Sequence, residues 1–175
     1  IPGMGSRCSC GSGGSSTPTP QLVIEAGDGI AFSGDGTDGS PLVIRKSGGD
    51  IVLIPQLPTD AVITGDGQYF FTVPPSLDGG NITAVNLALT GAVASSGATT
   101  VQITRRRGGT VTDVLGTPAT VDATERFSTT GTIGVPVASP GNDIDQWDIL
   151  GVDVDAAGTD AKGLQVIITY AIPPH

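Results

Sequence analysis

The sequence predicts an all-β protein: an extended N-terminal arm, a small β module and a jelly-roll-like C-terminal β-sandwich. Three observations carry this. Short runs of alternating apolar and polar residues recur along the chain, the period-two signature of half-buried strands. Turn residues punctuate them: 27 Gly and 13 Pro occur among 175 residues, placed between the apolar runs rather than spread through them. Helical periodicity is missing, since no segment keeps apolar residues at i, i+3, i+4 and i+7 over three turns.

Residues 1–20 (IPGMGSRCSCGSGGSSTPTP) form a low-complexity arm of Gly, Ser, Thr and Pro, the composition of an extended tether. Fully extended it would reach roughly 60–70 Å at ~3.3–3.6 Å per residue. Residues 21–66 form a small module with four short strands expected at 21–26, 29–34, 41–46 and 50–55. Four strands of this length bury too little apolar surface to stand alone, so several copies are expected to pack about an axis as a homotrimer. Residues 67–175 form the sandwich, with strands expected at 68–74, 81–91, 99–107, 110–116, 131–137, 148–156 and 164–172. In the second of these, Ile82, Ala84, Asn86 and Ala88 define one face and Val85, Leu87 and Leu89 the other. Trp147 and Tyr170 read as core or sheet-edge residues, in preference to a ligand-stacking role for the Trp.

Charge and composition narrow the partners. The formal net charge is −9. Such a surface disfavours nucleic acid, whose phosphates demand Lys and Arg. The one basic cluster, Arg105-Arg106-Arg107, precedes Gly108-Gly109 and reads as a strand end at a hairpin, solvated and paired with nearby Asp. No apolar run approaches the ~20 residues of a membrane span, and no apolar signal-peptide core is visible, so no membrane partner is expected. Asn81-Ile82-Thr83 is therefore read as a chance match to a glycosylation acceptor.

The carboxylates invite a site. Asp35 and Asp38 sit in GDGTDG, Asp143, Asp145 and Asp148 in NDIDQWD, and Asp153 and Asp155 in VDVDAAGTD. Closely spaced Asp can supply Ca²⁺ with oxygens, but Asp and Gly also dominate turns for local reasons: Asp bonds nearby backbone and Gly supplies positive φ. The turn reading is preferred for all of them, and no metal or cofactor is expected. Asp153 and Asp155 should share one side of a strand. Cys8 and Cys10 are too few for a structural metal and too close for a relaxed disulfide; they read as free thiols, or as an intermolecular link where chains converge. His175 stands alone, which leaves no Ser-His-Asp or Cys-His constellation. A glycosidase would need a carboxylate pair and a sugar platform, and with 4% aromatic residues no platform is visible. No catalytic, cofactor-binding or metal-binding residue is assigned, and the protein is expected not to be an enzyme.

Two stretches carry a resemblance. VIEAGDGIAFSGDGTDGSPLVI resembles a Gly-turn, short-strand unit that recurs in appendage proteins of tailed bacteriophages, matching at Gly27, Gly29, Gly34, Gly36, Thr37 and Pro41. Residues 95–110, 113–128 and 148–170 resemble the β-sandwich of phage tail-fibre, minor tail and head-decoration proteins. The resemblance implies a virion surface protein, commonly trimeric. One expectation is a capsid decoration or cement protein whose arm lies across the major capsid protein. The alternative is a tail fibre or spike adhesin, bound to tail proteins by the arm and to a host surface glycan by loops 91–98, 105–110 and 138–147.

Overall fold

The computed structural model describes residues 30–33 and 43–173; the arm, Asp35, Asp38, Cys8, Cys10, His175 and the strand expected at 21–26 lie outside the described residues. Thirteen strands are described: β1 (Ile30–Ser33), β2 (Val43–Lys46), β3 (Gly48–Leu53), β4 (Gly65–Thr72), β5 (Gly80–Leu89), β6 (Thr99–Arg107), β7 (Thr110–Asp113), β8 (Leu115–Thr117), β9 (Ala119–Val121), β10 (Val135–Pro136), β11 (Asp143–Ile144), β12 (Ile149–Ala156) and β13 (Leu164–Ala171). Among the described residues a single 3-10 turn, Pro75–Leu77, interrupts them. The protein is all-β, as its alternation predicts.

Two antiparallel sheets enclose one core. The first has the order β11-β5-β13-β3; the second has β4-β12-β6-β7, with β9 also on β6. Long strands alternate between the sheets along the chain: β3 in the first, β4 in the second, β5 back in the first, β6 in the second, and β12 then β13 likewise. The central strands turn alternate side chains inward, and β13 shows it most cleanly, with Leu164, Val166, Ile168 and Tyr170 buried and the residues between them half-buried. Val101 and Ile103 of β6, with Leu150, Val152 and Val154 of β12, meet them from the second sheet in one continuous cluster. Tyr170 is thus a core residue, as expected.

Three expectations change. The strand expected at 50–55 belongs to the sandwich: β3 pairs with β13 from Val166↔Leu53 to Ala171↔Gly48, and Leu53 and Val62 join the core. Of the small module only the β1–β2 hairpin stands apart, and a single residue, Ser47, separates it from β3. Burial drives this, because the apolar residues of β3 complete a face that β13 would otherwise leave open. The face assignment in β5 also shifts. Ile82 is fully buried together with Val85, Leu87 and Leu89. The pairing runs Tyr170↔Ile82 and then Thr169↔Ala84, so Thr83 is an extra residue, and this bulge turns the faces over. Finally, the region expected to hold one strand at 110–116 is split between β7 and β8: Val114 is buried and still donates to the Ile103 carbonyl, but the Gln102 side chain takes the Ile103 and Leu115 N–H groups and interrupts the ladder there.

Candidate functional site

The basic run at the end of β6 divides by strand alternation. Arg105 and Arg107 point to the inner side, Arg106 to the outer. At the sheet end the inner side meets not core but β11, the edge strand of the opposite sheet. There Arg105 Nη1 donates to both the carboxylate and the backbone carbonyl of Asp143. Arg107 Nη1 bonds Asp143 Oδ2 at 2.7 Å and lies 3.0 Å from Asp145 Oδ2. Its Nε and Nη2 grip the two oxygens of Asp148 at 2.9 and 2.5 Å. The cluster clamps one sheet to the other. The expected pairing of arginines with nearby Asp holds, but not as a solvated hairpin end: Asp148 is only 3% exposed and the Arg105 side chain 12%.

The electrostatics follow. Burial pushes the Asp148 carboxyl up, but the hydrogen bond from Arg107 and the Asp145 amide outweigh it, leaving the group below the usual carboxylate range. Asp143 is likewise raised by burial and pulled lower overall by Arg107 and Arg105. The Arg107 guanidinium is raised by its bond to Asp148.

The same carboxylate builds a turn. Asp148 Oδ2 accepts the Asp145 N–H at 2.8 Å, and the Asp148 N–H returns to the Asp145 carbonyl at 3.1 Å. The Gln146 N–H donates to Asp78 Oδ1 at 2.7 Å, and the Trp147 N–H to the Val73 carbonyl at 2.8 Å. All four amides from Asp145 to Asp148 are satisfied. Held this way, Trp147 adopts φ +70° and its side chain is 68% exposed. Left-handed backbone costs a bulky L-residue about 1–2 kcal/mol. The core or edge expectation for Trp147 is therefore corrected: the turn geometry aims the indole outward.

A second feature lies on the outer face of the second sheet. Cross-strand pairs share a face, so Phe70↔Gly151↔Thr104↔Asp113 form one row and Thr72↔Ile149↔Arg106↔Val111 the next. Phe70 lies over two glycines: a Cβ on Gly67 would fall 2.6 Å from its Cζ, and one on Gly151 would touch the same ring at 3.5 Å. Gly67 takes φ +64° and donates its N–H to Asp153 Oδ1 at 2.6 Å. The result is an open cleft of about 370 Å³ lined by Asp66, Gly67, Phe70, Thr104, Arg106, Val111 and Asp153. Phe70 is 57% exposed within it. Asp155 sits beside the acidic side of this face; burial, then Asp153, Asp113 and Asp66, hold its carboxyl above the usual range.

The structure thus separates the candidate carboxylates. Asp143, Asp145 and Asp148 converge on arginine. Asp153 and Asp155 face outward on β12 with Asp66 and Asp113. Among the described residues no three His, Cys, Asp or Glu side chains are placed to hold a metal ion. Sequence reasoning missed Phe70 and its glycines. A readable signal existed: Gly65 and Gly67 before an aromatic run, and a lone Gly151 inside a strand, mark close approach of a neighbour. No known protein-family model and no curated protein sequence matches this chain.

Proposed function

We propose that this protein is a non-enzymatic structural component of a phage virion surface, a capsid decoration or cement protein that assembles as a homotrimer and is anchored to the major capsid protein by residues 1–20. The observation that carries the reading is a group of exposed apolar residues at and just beyond an open sheet edge. β3 ends its sheet, and no strand pairs with its far side among the described residues. Val52, Ile54, Leu57 and Ile63, within twelve residues of one another, are 48–61% exposed. Val52 is on β3 itself, Ile54 just past its end, and Leu57 and Ile63 in the segment that follows; isolated exposed apolar residues are ordinary, but a group of them beside an open edge favours association. A neighbouring copy or a capsid subunit would cover it. The resemblance of residues 95–128 and 148–170 to phage surface sandwiches points the same way.

A second reading, a tail fibre or spike adhesin, is favoured by the outer-face cleft. Immunogold labelling of intact virions with an antibody to residues 67–173 separates the two. Gold over the head supports decoration; gold confined to the tail supports the adhesin; unlabelled particles refute both. Sedimentation at micromolar concentration tests the trimer, and a monomer there refutes it.

A further inference from the structure

We propose that the cleft on the outer face of the second sheet is a binding site for a neutral saccharide, with the C–H face of a pyranose ring laid on Phe70. The inference does not rest on where the particle carries the protein. A sugar is amphipathic by face: its ring carbons seek an aromatic plane and its hydroxyls seek mixed donors and acceptors. The cleft offers both within one opening of about 370 Å³, the scale of small-molecule sites, roughly 300–1,000 Å³.

The platform is built rather than incidental. Phe70 is on the solvent side of β4, and the missing side chain of Gly67 leaves the room its ring occupies, with Gly151 beside it at ordinary contact distance. The polar groups around it are complementary to hydroxyls. Asp66 and Asp153 accept, Arg106 donates, and Thr104 does either. Arg106 makes no ion pair among the described residues, unlike Arg105 and Arg107, whose charges the inter-sheet clamp consumes.

Charge sets the class of sugar. One guanidinium faces Asp66 and Asp153, with Asp113 and Asp155 alongside. Burial first, and then Asp153, Asp113 and Asp66, hold the Asp155 carboxyl up. An anionic sugar would enter a negative field, so uronic acids are disfavoured and uncharged pyranosides fit.

The test uses the full 175-residue chain, ¹⁵N-labelled, titrated with maltotriose, cellotriose, mannotriose and triacetylchitotriose, with trigalacturonate and tetralysine as charged controls. The expected result is saturable, millimolar binding of at least one neutral trisaccharide, read as amide shifts at Gly67, Thr104 and Gly151. Phe70→Ala should weaken it by about tenfold or more while Phe70→Trp retains it. Because Phe70 is outside the core, both variants should keep the wild-type spectrum elsewhere. The proposal is overturned if no neutral trisaccharide shifts these amides, if trigalacturonate binds as well as they do, or if Phe70→Ala binds like wild type. Shifts with tetralysine alone would also overturn it, and would identify the cleft as a docking point for a basic peptide.

Discussion

Replacing Asp148 with Asn tests the clamp, because Asn has the same shape and one remaining acceptor but no charge. Asp148 is buried, accepts two bonds from Arg107 and one from the Asp145 amide, and ties β11, the 145–148 turn and β6 together. Breaking a fully buried ion pair costs about 3–5 kcal/mol, and an exposed one about 0–1. Arg107 is 36% exposed and keeps Asp143 and Asp145, so the exposed half of the pair is screened and partly compensated. The expected loss is about 2 kcal/mol, which for a chain of this size lowers Tm by roughly 4–8 °C. The pH dependence has a definite sign. Asp143 and Asp148 are held below their ordinary 3.8, so their contribution is full above that value and is lost as pH falls through the depressed folded values. Urea melts at pH 7 should therefore separate Asp148→Asn from wild type, and melts well into acid should bring them together. A loss under about 0.5 kcal/mol at pH 7, or a gap that persists unchanged in acid, would refute the electrostatic account.

Gly91→Ala should destabilise by about 2–3 kcal/mol, since a Cβ there would fall on the Pro58 carbonyl oxygen and against Lys162 backbone, neither of which can swing aside; a denaturant melt checks it. Trp147→Gly should leave stability within about 1 kcal/mol of wild type although the largest side chain in the sequence is removed, because strain is relieved and little packing is lost; a loss above about 2 kcal/mol would show that the indole packs. Val52→Lys with Ile54→Lys should leave the melt near wild type but lower the sedimenting mass toward a monomer. Deleting residues 1–20 should abolish particle binding in a co-sedimentation assay while leaving the folded sandwich intact, and full retention on particles would remove the arm from the anchor role.

Fold and site were not equally legible, and the difference is one of range. Alternation is local, so β6, β12 and β13 are found at 99–107, 149–156 and 164–171, almost where the apolar pattern puts them. What alternation cannot report is which sheet a strand joins. β3 shows this: its own residues suit a small module, and only β13, more than a hundred residues on, makes it part of the sandwich. The short strands β9 and β11 carry too few residues to show any period. The Asp-Arg clamp lies between these cases. Asp143, Asp145 and Asp148 are readable as turn formers, and they are turn formers, but that β11 would bring them to Arg105 and Arg107 depends on the packing of two sheets. The cleft was hidden by composition. A low aromatic content argues against a sugar platform only if aromatics are assumed to go inside, and here Phe70 and Trp147 stay out.

That placement is costly in a particular way. A sandwich of this size gains most by burying its largest apolar side chains, yet its only Trp and two of its four Phe, Phe70 and Phe127, are more than half exposed, while the core is filled by Val, Ile and Leu. The turn carrying Trp147 is not loose: every amide in it is bonded, and its carboxylate hinge is buried against a doubly gripped arginine. The ring of Phe70 lies against Gly67, whose positive φ suits glycine, and beside Gly151, a strand-interior glycine that costs about 0.5–1 kcal/mol relative to Ala. In both places stability is spent to hold an aromatic ring rigidly toward solvent. Core packing gives no return for that arrangement, whereas a rigid aromatic meeting a partner loses little side-chain entropy on contact. The stabilising clamp at the sheet end and the outward rings are thus parts of one arrangement: the Arg105–Arg107 run sends two charges inward to fix the scaffold and leaves the middle one, Arg106, on the face that Phe70 shares.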